Sequence, residues 1–164
     1  MEKQPPIEPF APRSTQQPWG TETLIAATEH YTGKILYYKA GLAGGLQYHV
    51  EKDETFYLVS GSAEVWFEVE GRKLEHLLMA PTDSIHVPPL AVHRFEAITD
   101  CVVFEVSTPH YDDRVNVSAR FGYSRSDDLP STWRVLPDGS HERMAGNWPS
   151  RVVLDKASPE NSNS

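Results

Sequence analysis

From residue 54 to residue 107 the chain keeps returning to a period of two. Glu54, Phe56 and Leu58 stand against Thr55, Tyr57 and Val59, and Ala63, Val65, Phe67 and Val69 against Glu64, Trp66 and Glu68. Successive side chains of a strand face opposite ways, so this alternation reads as half-buried antiparallel strands over 54–60 and 63–69. Gly61-Ser62 turns between them, and Glu70-Gly71-Arg72 turns into a returning strand over 73–79. Pro81-Thr82-Asp83 breaks the chain again before a short strand over 84–87, which Pro88-Pro89 stops. Strands over 92–97 and 101–107 follow, with Thr99-Asp100 between them. Upstream, 21–27 and the stronger run 32–38 (TGKILYY) read the same way. Short strands with turns roughly every ten residues, and no amphipathic helix pattern of useful length, predict an all-β sandwich or barrel.

The flanks read differently. Residues 1–17 carry Pro5, Pro6, Pro9 and Pro12, which have no N–H for a ladder, and predict an extended or disordered arm. The folded domain is expected over 18–125, where the segment DDRVNVSARFGYSRS covers an outer sheet or a dimer partner. Residues 126–164 are rich in Ser, Pro, Asp and Asn and predict an irregular tail. Trp133, Val135, Leu136, Trp148, Val152 and Val153 give that tail something to dock with, and disorder is expected from about residue 156. Apolar residues on both tails lead to the expectation of a homodimer.

The chemistry concentrates between Gly41 and Gly61. Gln47 and His49 are two apart and share a face if extended, while Tyr48 points opposite. The polar segment VEKD can turn and bring Glu54 back beside them, and SIHVPPLAVHRFEA offers His93 as a fourth ligand. One carboxylate, two imidazoles and an amide oxygen suit Zn²⁺, Fe²⁺, Mn²⁺, Co²⁺ or Ni²⁺. Glu51 and Lys52 lie in the turn between these ligands, and Glu105 stands alone in the apolar run VVFEV; Glu51 and Glu105 are the candidate general bases. Strand alternation points Arg94 away from the ion, and His86 reads as structural.

These residues resemble the two motifs of the cupin family. Gly41, His49, Glu54 and Gly61 fall in the places of the first motif, with Gln47 at its first histidine, as in the Gln-x-His metal site of phosphomannose isomerases. Asp83, Pro88 and His93 match the second motif, which is broken at Thr82, Leu90 and Ala97. PWG at 18–20, TGKIL, KDETFYLVSG, EVSTP and the acidic pair Asp112-Asp113 are similar to the small phosphomannose isomerase-like cupins. Asn116 and Phe121-Gly122 stand where bacterial members of that group have an arginine and Tyr-Gly. The resemblance implies a double-stranded β-helix (jelly-roll) barrel and a metal-dependent sugar or sugar-phosphate isomerase. An Fe²⁺ oxygenase and a non-enzymatic sugar-binding cupin are the alternatives, since one fold hosts many chemistries.

Composition narrows the partners. A net charge of −8 argues against nucleic acid, whose phosphates need a basic face. Cys101 is the only cysteine, so neither an intrachain disulfide nor a thiolate cluster can form, and its place before an apolar run reads as a buried, inert thiol. No run of about 18 apolar residues occurs, and the N-terminus lacks a signal peptide's apolar stretch, which gives the expectation of a cytoplasmic protein without membrane contact.

Overall fold

A computed structural model describes residues 4–70 and 72–146. Its strands are β1 (Arg13–Gln17), β2 (Gly20–Ala27), β3 (Thr32–Tyr38), β4 (Gln47–Tyr48), β5 (Glu54–Ser60), β6 (Ala63–Val69) and β7 (Lys73–Met79). They continue as β8 (Ser84–Val87), β9 (His93–Ala97), β10 (Cys101–Ser107), β11 (Val115–Asn116), β12 (Trp133–Val135) and β13 (His141–Arg143). One short 3-10 helix spans Ser118–Phe121. A six-stranded sheet in the order β1-β2-β3-β10-β5-β8 faces a five-stranded sheet in the order β11-β4-β9-β6-β7. All pairings are antiparallel, as expected of a jelly roll.

The inward faces of the central strands are apolar at one end and ionisable at the other. In β10 the buried positions are Cys101, Val103, Glu105 and Ser107. Register sets Val103 beside Leu36 and Leu58, Glu105 beside Lys34 and Phe56, and Ser107 beside Thr32 and Glu54. In β9 the same gradient runs from Ala97 through Phe95 to His93. One half of the barrel is therefore a dry core, where Leu58 and Val103 are fully buried and truncating Leu58 to Ala costs about 2–5 kcal/mol. The other half holds polar groups that need partners.

Rings divide the two halves. Trp19 stacks on Tyr38 with centroids 4.0 Å apart, Tyr38 meets Phe95 at 4.7 Å, and Phe95 meets Phe56 at 6.1 Å. A second apolar cluster of Leu46, Tyr48, Val92 and Val115 lies under Val117, Phe121 and Trp133. The segment after β10 thus covers one sheet, and Trp133 docks as its composition suggested, whereas Val135 is exposed. Trp148, Val152 and Val153 lie outside the described residues.

Three features depart from the sequence reading. The last five residues of the proline-rich arm form β1, which pairs with β2 across a two-residue turn at Pro18-Trp19. Proline-free and polar, RSTQQ suits an exposed edge strand, so the sheet begins ahead of residue 18. The tail contains a hairpin, β12–β13, in which Arg134 stands opposite Glu142. Thr82 and Leu90, where the cupin motif has glycine, keep the left-handed backbone with φ of 82° and 69°. Gly61 has φ of 93°, and a Cβ there would lie 2.3 Å from the Asp100 carbonyl oxygen, so the β5–β6 turn requires glycine.

Candidate metal centre and its cavity

Three elements bring His49, Glu54 and His93 together. Glu54 opens β5 and His93 opens β9, both on inward faces, while β4 ends at Tyr48 and leaves His49 as the first residue of a loop. The Nε2 atoms of His49 and His93 each lie 3.0 Å from Glu54 Oε1. All three side chains are buried, and their donor atoms lie within 4.8 Å of one another, a cluster that can hold a metal ion. Gln47 stands opposite His93 in the β4–β9 register and lines the same cavity.

Backbone contacts fix both imidazoles. His93 Nδ1 is 2.9 Å from the Ala91 carbonyl oxygen, and His49 Nδ1 contacts the Asp113 carbonyl oxygen. A carbonyl only accepts, so each Nδ1 carries the hydrogen, and the tautomer that results when a metal binds turns each Nε2 lone pair toward the Glu54 side of the site. Glu54 Oε1 is buried and has no hydrogen-bond partner. Three lone-pair donors converging in a buried space repel one another unless a cation takes their electrons, so this donor set fits a divalent ion. The backbone carbonyls holding each Nδ1–H are the usual outer support of such ligands.

The loop between the ligands is wound around one carboxylate. Asp113, itself buried, accepts the backbone N–H of Val50 at 2.9 Å and those of Glu51 and Lys52 at 2.7 Å each. This winding turns Lys52 inward and leaves Glu51 exposed, outside the cavity lining. Of the two candidate bases, only Glu105 faces the cavity.

Lys52 is the centre of a buried charge chain. Its ammonium contacts Glu54 Oε2 and lies 2.6 Å from Glu105 Oε1. Lys34 follows, 3.6 Å from Glu105 and 3.2 Å from Glu22. Burial alone would push the Glu54 carboxyl up, but the Lys52 ammonium together with the His49 and His93 imidazoles outweighs it and holds it well below the usual range. Glu105 is likewise lowered, burial being outweighed by Lys34 and Lys52. Both lysines are raised, because burial is outweighed by Glu105 and its neighbours. Burial, with Glu105 and Glu22 nearby, also holds Tyr38 neutral far above its ordinary value.

Sequence reasoning did not single out Lys34, although its alternation with Leu36 and Tyr38 places it on the inward face. Lys52 had no periodic signal, since a loop wound on a carboxylate has none. Arg94 points away from the centre, pairing with Glu96 at 2.7 Å and lying over the Tyr123 ring. His86 is exposed and 3.0 Å from Asp53, and Cys101 is a free, buried thiol.

The cavity around this centre measures about 420 Å³, within the range of small-molecule sites. Two antiparallel sheets enclosing such a centre at one end of the barrel define a cupin. Residues 10–117 match the mannose-6-phosphate isomerase C-terminal family, and the chain belongs to it. Among solved structures, the chain is similar to the capsular polysaccharide assembling protein CapF from Staphylococcus aureus. The two are 19% identical with a TM-score of 0.59, over 66% of this chain and 34% of that one. KdgF from Halomonas sp. is 22% identical with a TM-score of 0.53, over 61% of this chain and 88% of that one. Oxalate decarboxylase from Bacillus subtilis, described with Mn(II) centres, is 15% identical with a TM-score of 0.54, over 69% of this chain and 35% of that one. The chain thus spans about a third of the length of CapF, and these likenesses show the fold. No curated protein matches the sequence. Among the described residues, no helix is long and apolar enough to cross a membrane.

Proposed function

We propose that this cupin is a metal-dependent aldose–ketose isomerase. The observation that carries the reading is the pair of Nε2 atoms at 3.0 Å from the unpartnered Glu54 Oε1, with the Lys52–Glu105 pair directly beside it. Gln47, His49, Glu54 and His93 would hold the divalent ion, chosen from Zn, Fe, Mn, Co or Ni. The manganese of the structurally similar oxalate decarboxylase supports a metal in this fold. When bound, the ion supplies Lewis-acid polarisation of sugar oxygens.

The remaining work falls to the chain's own side chains. Glu105 is ionised at neutral pH, so it accepts the proton from carbon 2 of the aldose and returns it to carbon 1. The hydrogen of the carbon 2 hydroxyl passes to the carbonyl oxygen on carbon 1, which completes the exchange of aldose for ketose. Lys52, protonated and 2.6 Å from Glu105, favours negative charge growing on the oxygens and keeps Glu105 oriented. Trp19 and the aromatic floor exclude water from one side.

The test is incubation of the metal-loaded protein in deuterated water with a panel of hexoses, pentoses and their phosphates. Partner ketose or aldose should form, with carbon-bound deuterium wherever Glu105 exchanges with solvent. Formation of no partner sugar from any of them would end the isomerase reading in favour of an oxygenase or a binding protein.

We also propose a homodimer through the outer face of the six-stranded sheet. Phe104 pairs there with Tyr57, and Val106, Val59 and Tyr37 extend the exposed apolar surface across β3, β10 and β5.

A further inference from the structure

The cavity's charges are already matched to one another. Among the described residues, seven carboxylates and five ammonium or guanidinium groups line it. Lys34 is held by Glu22 and Glu105, and Lys52 by Glu54 and Glu105. Each of the three arginines has its own carboxylate: Arg94 has Glu96 at 2.7 Å, Arg114 has Asp112 at 3.1 Å, and Arg125 has Asp127 at 2.6 Å. Arg125 gives Nε and Nη2 to the two oxygens of Asp127, at 3.0 and 2.6 Å, which is the fork geometry a phosphate would otherwise take. Its Nη1 donates to the Ala43 carbonyl oxygen, and Arg114 Nε donates to that of Pro130.

A phosphate ester entering this space finds carboxylates rather than open cations. With neutral imidazoles the described lining carries two more negative charges than positive ones, and a divalent ion at the His49–Glu54–His93 centre brings it to balance. Asn116, which stands where the resembling cupins have an arginine, is neutral and lies beside the lining rather than in it. Its Oδ1 accepts the Ser118 N–H at 2.9 Å and its Nδ2 donates to the Leu129 carbonyl oxygen at 3.3 Å. The uncommitted lining suits hydroxyl groups instead: Thr15 and Gln17 offer neutral donors and acceptors, and Trp19 stacked on Tyr38 offers an aromatic wall.

We infer that the ligand of this cavity is a neutral, unphosphorylated monosaccharide, in contrast to the phosphate ester in its family's description. The inference rests on the sugar-isomerase reading for turnover, but its own content is a binding preference. Isothermal titration of the metal-loaded protein with a panel of hexoses and pentoses, each beside its phosphate ester, tests it directly. At least one neutral sugar should bind about tenfold or more tightly than its ester, because an added dianion finds the lining's cations already paired with carboxylates. Asp127→Asn, which releases the Arg125 fork, should narrow that gap by strengthening ester binding. An ester that binds more tightly than its neutral sugar overturns the inference while leaving isomerisation standing. Binding of neither kind overturns both. A neutral sugar that binds but is not converted supports the inference and ends the isomerase reading.

Discussion

Glu105 Oε1 lies 2.6 Å from the Lys52 ammonium, in the half of the barrel that the aromatic rings separate from the dry core. Both groups are buried, so the pair ties acid–base behaviour to stability. Glu105 has a folded-state pKa below its ordinary 4.5, so its contribution is present above that value and is lost as pH falls through the lowered one. The lysines are raised above their ordinary 10.5, so theirs is complete below that value and is lost only as pH rises through the raised ones. Thermal unfolding should therefore show a melting temperature that falls more steeply below pH 4.5 in the wild type than in Glu105→Gln. At neutral pH the variant should be less stable by on the order of 3 kcal/mol, because it takes from the buried Lys34 and Lys52 ammoniums the carboxylate they share. Equal acid sensitivity of the two proteins would contradict this.

Asp113 acts on the centre through the loop it holds. Asp113→Ala removes the acceptor of three backbone N–H groups, those of Val50, Glu51 and Lys52. Released, the loop no longer fixes His49 or turns Lys52 inward. Metal affinity should fall about 10–100-fold in a calorimetric titration, with the circular dichroism of the sheets retained. Unchanged affinity would show that the loop does not position the ligand.

Thr82 and Leu90 hold left-handed backbone at a cost of about 1–2 kcal/mol each, which glycine does not incur. Glycine loses more freedom on folding, so the net gain is smaller. Thr82→Gly and Leu90→Gly should each stabilise the protein by up to about 1 kcal/mol in urea denaturation. Leu90 donates its N–H to the His49 carbonyl oxygen at 2.7 Å, so the second variant also reports whether that turn steadies the ligand. Destabilisation by either change would mean that the side chains outweigh the strain.

The exposed row of Tyr57, Phe104 and Val106 makes the homodimer testable. Light scattering should give twice the chain mass for the wild type and a single chain mass for Phe104→Asp. A wild-type protein that is monomeric at all concentrations would remove this face as an interface.

How much of this was legible depends on periodicity. Strands β3, β5, β6, β8 and β10 lie where alternation and turn residues set them, because each has one more buried face that fixes its register, whereas β7, exposed over most of its length, is set by its flanking turns. The convergence of His49, Glu54 and His93 followed from the motif spacing, whereas Glu105 reads equally well as an outward surface residue and is set inward by its register beside Lys34 and Phe56. Glu51 could not be placed that way. Its direction is decided by a carboxylate 62 residues later in the chain, and no alternation runs through a loop. The β12–β13 hairpin was hidden for a related reason: strands of three residues are too short for a period to show. β1 was obscured by the prolines before it.

The claim beneath all of these is that one divalent ion is held by Gln47, His49, Glu54 and His93. Elemental analysis of the gel-filtered protein, beside His93→Ala at matched circular dichroism, tests it most directly. The account predicts about one ion per wild-type chain and about a tenth of that or less in the variant, whose loss removes an imidazole but leaves the fold. Full occupancy in His93→Ala, or no ion in the wild type after saturation with each of the five candidate metals, would contradict it.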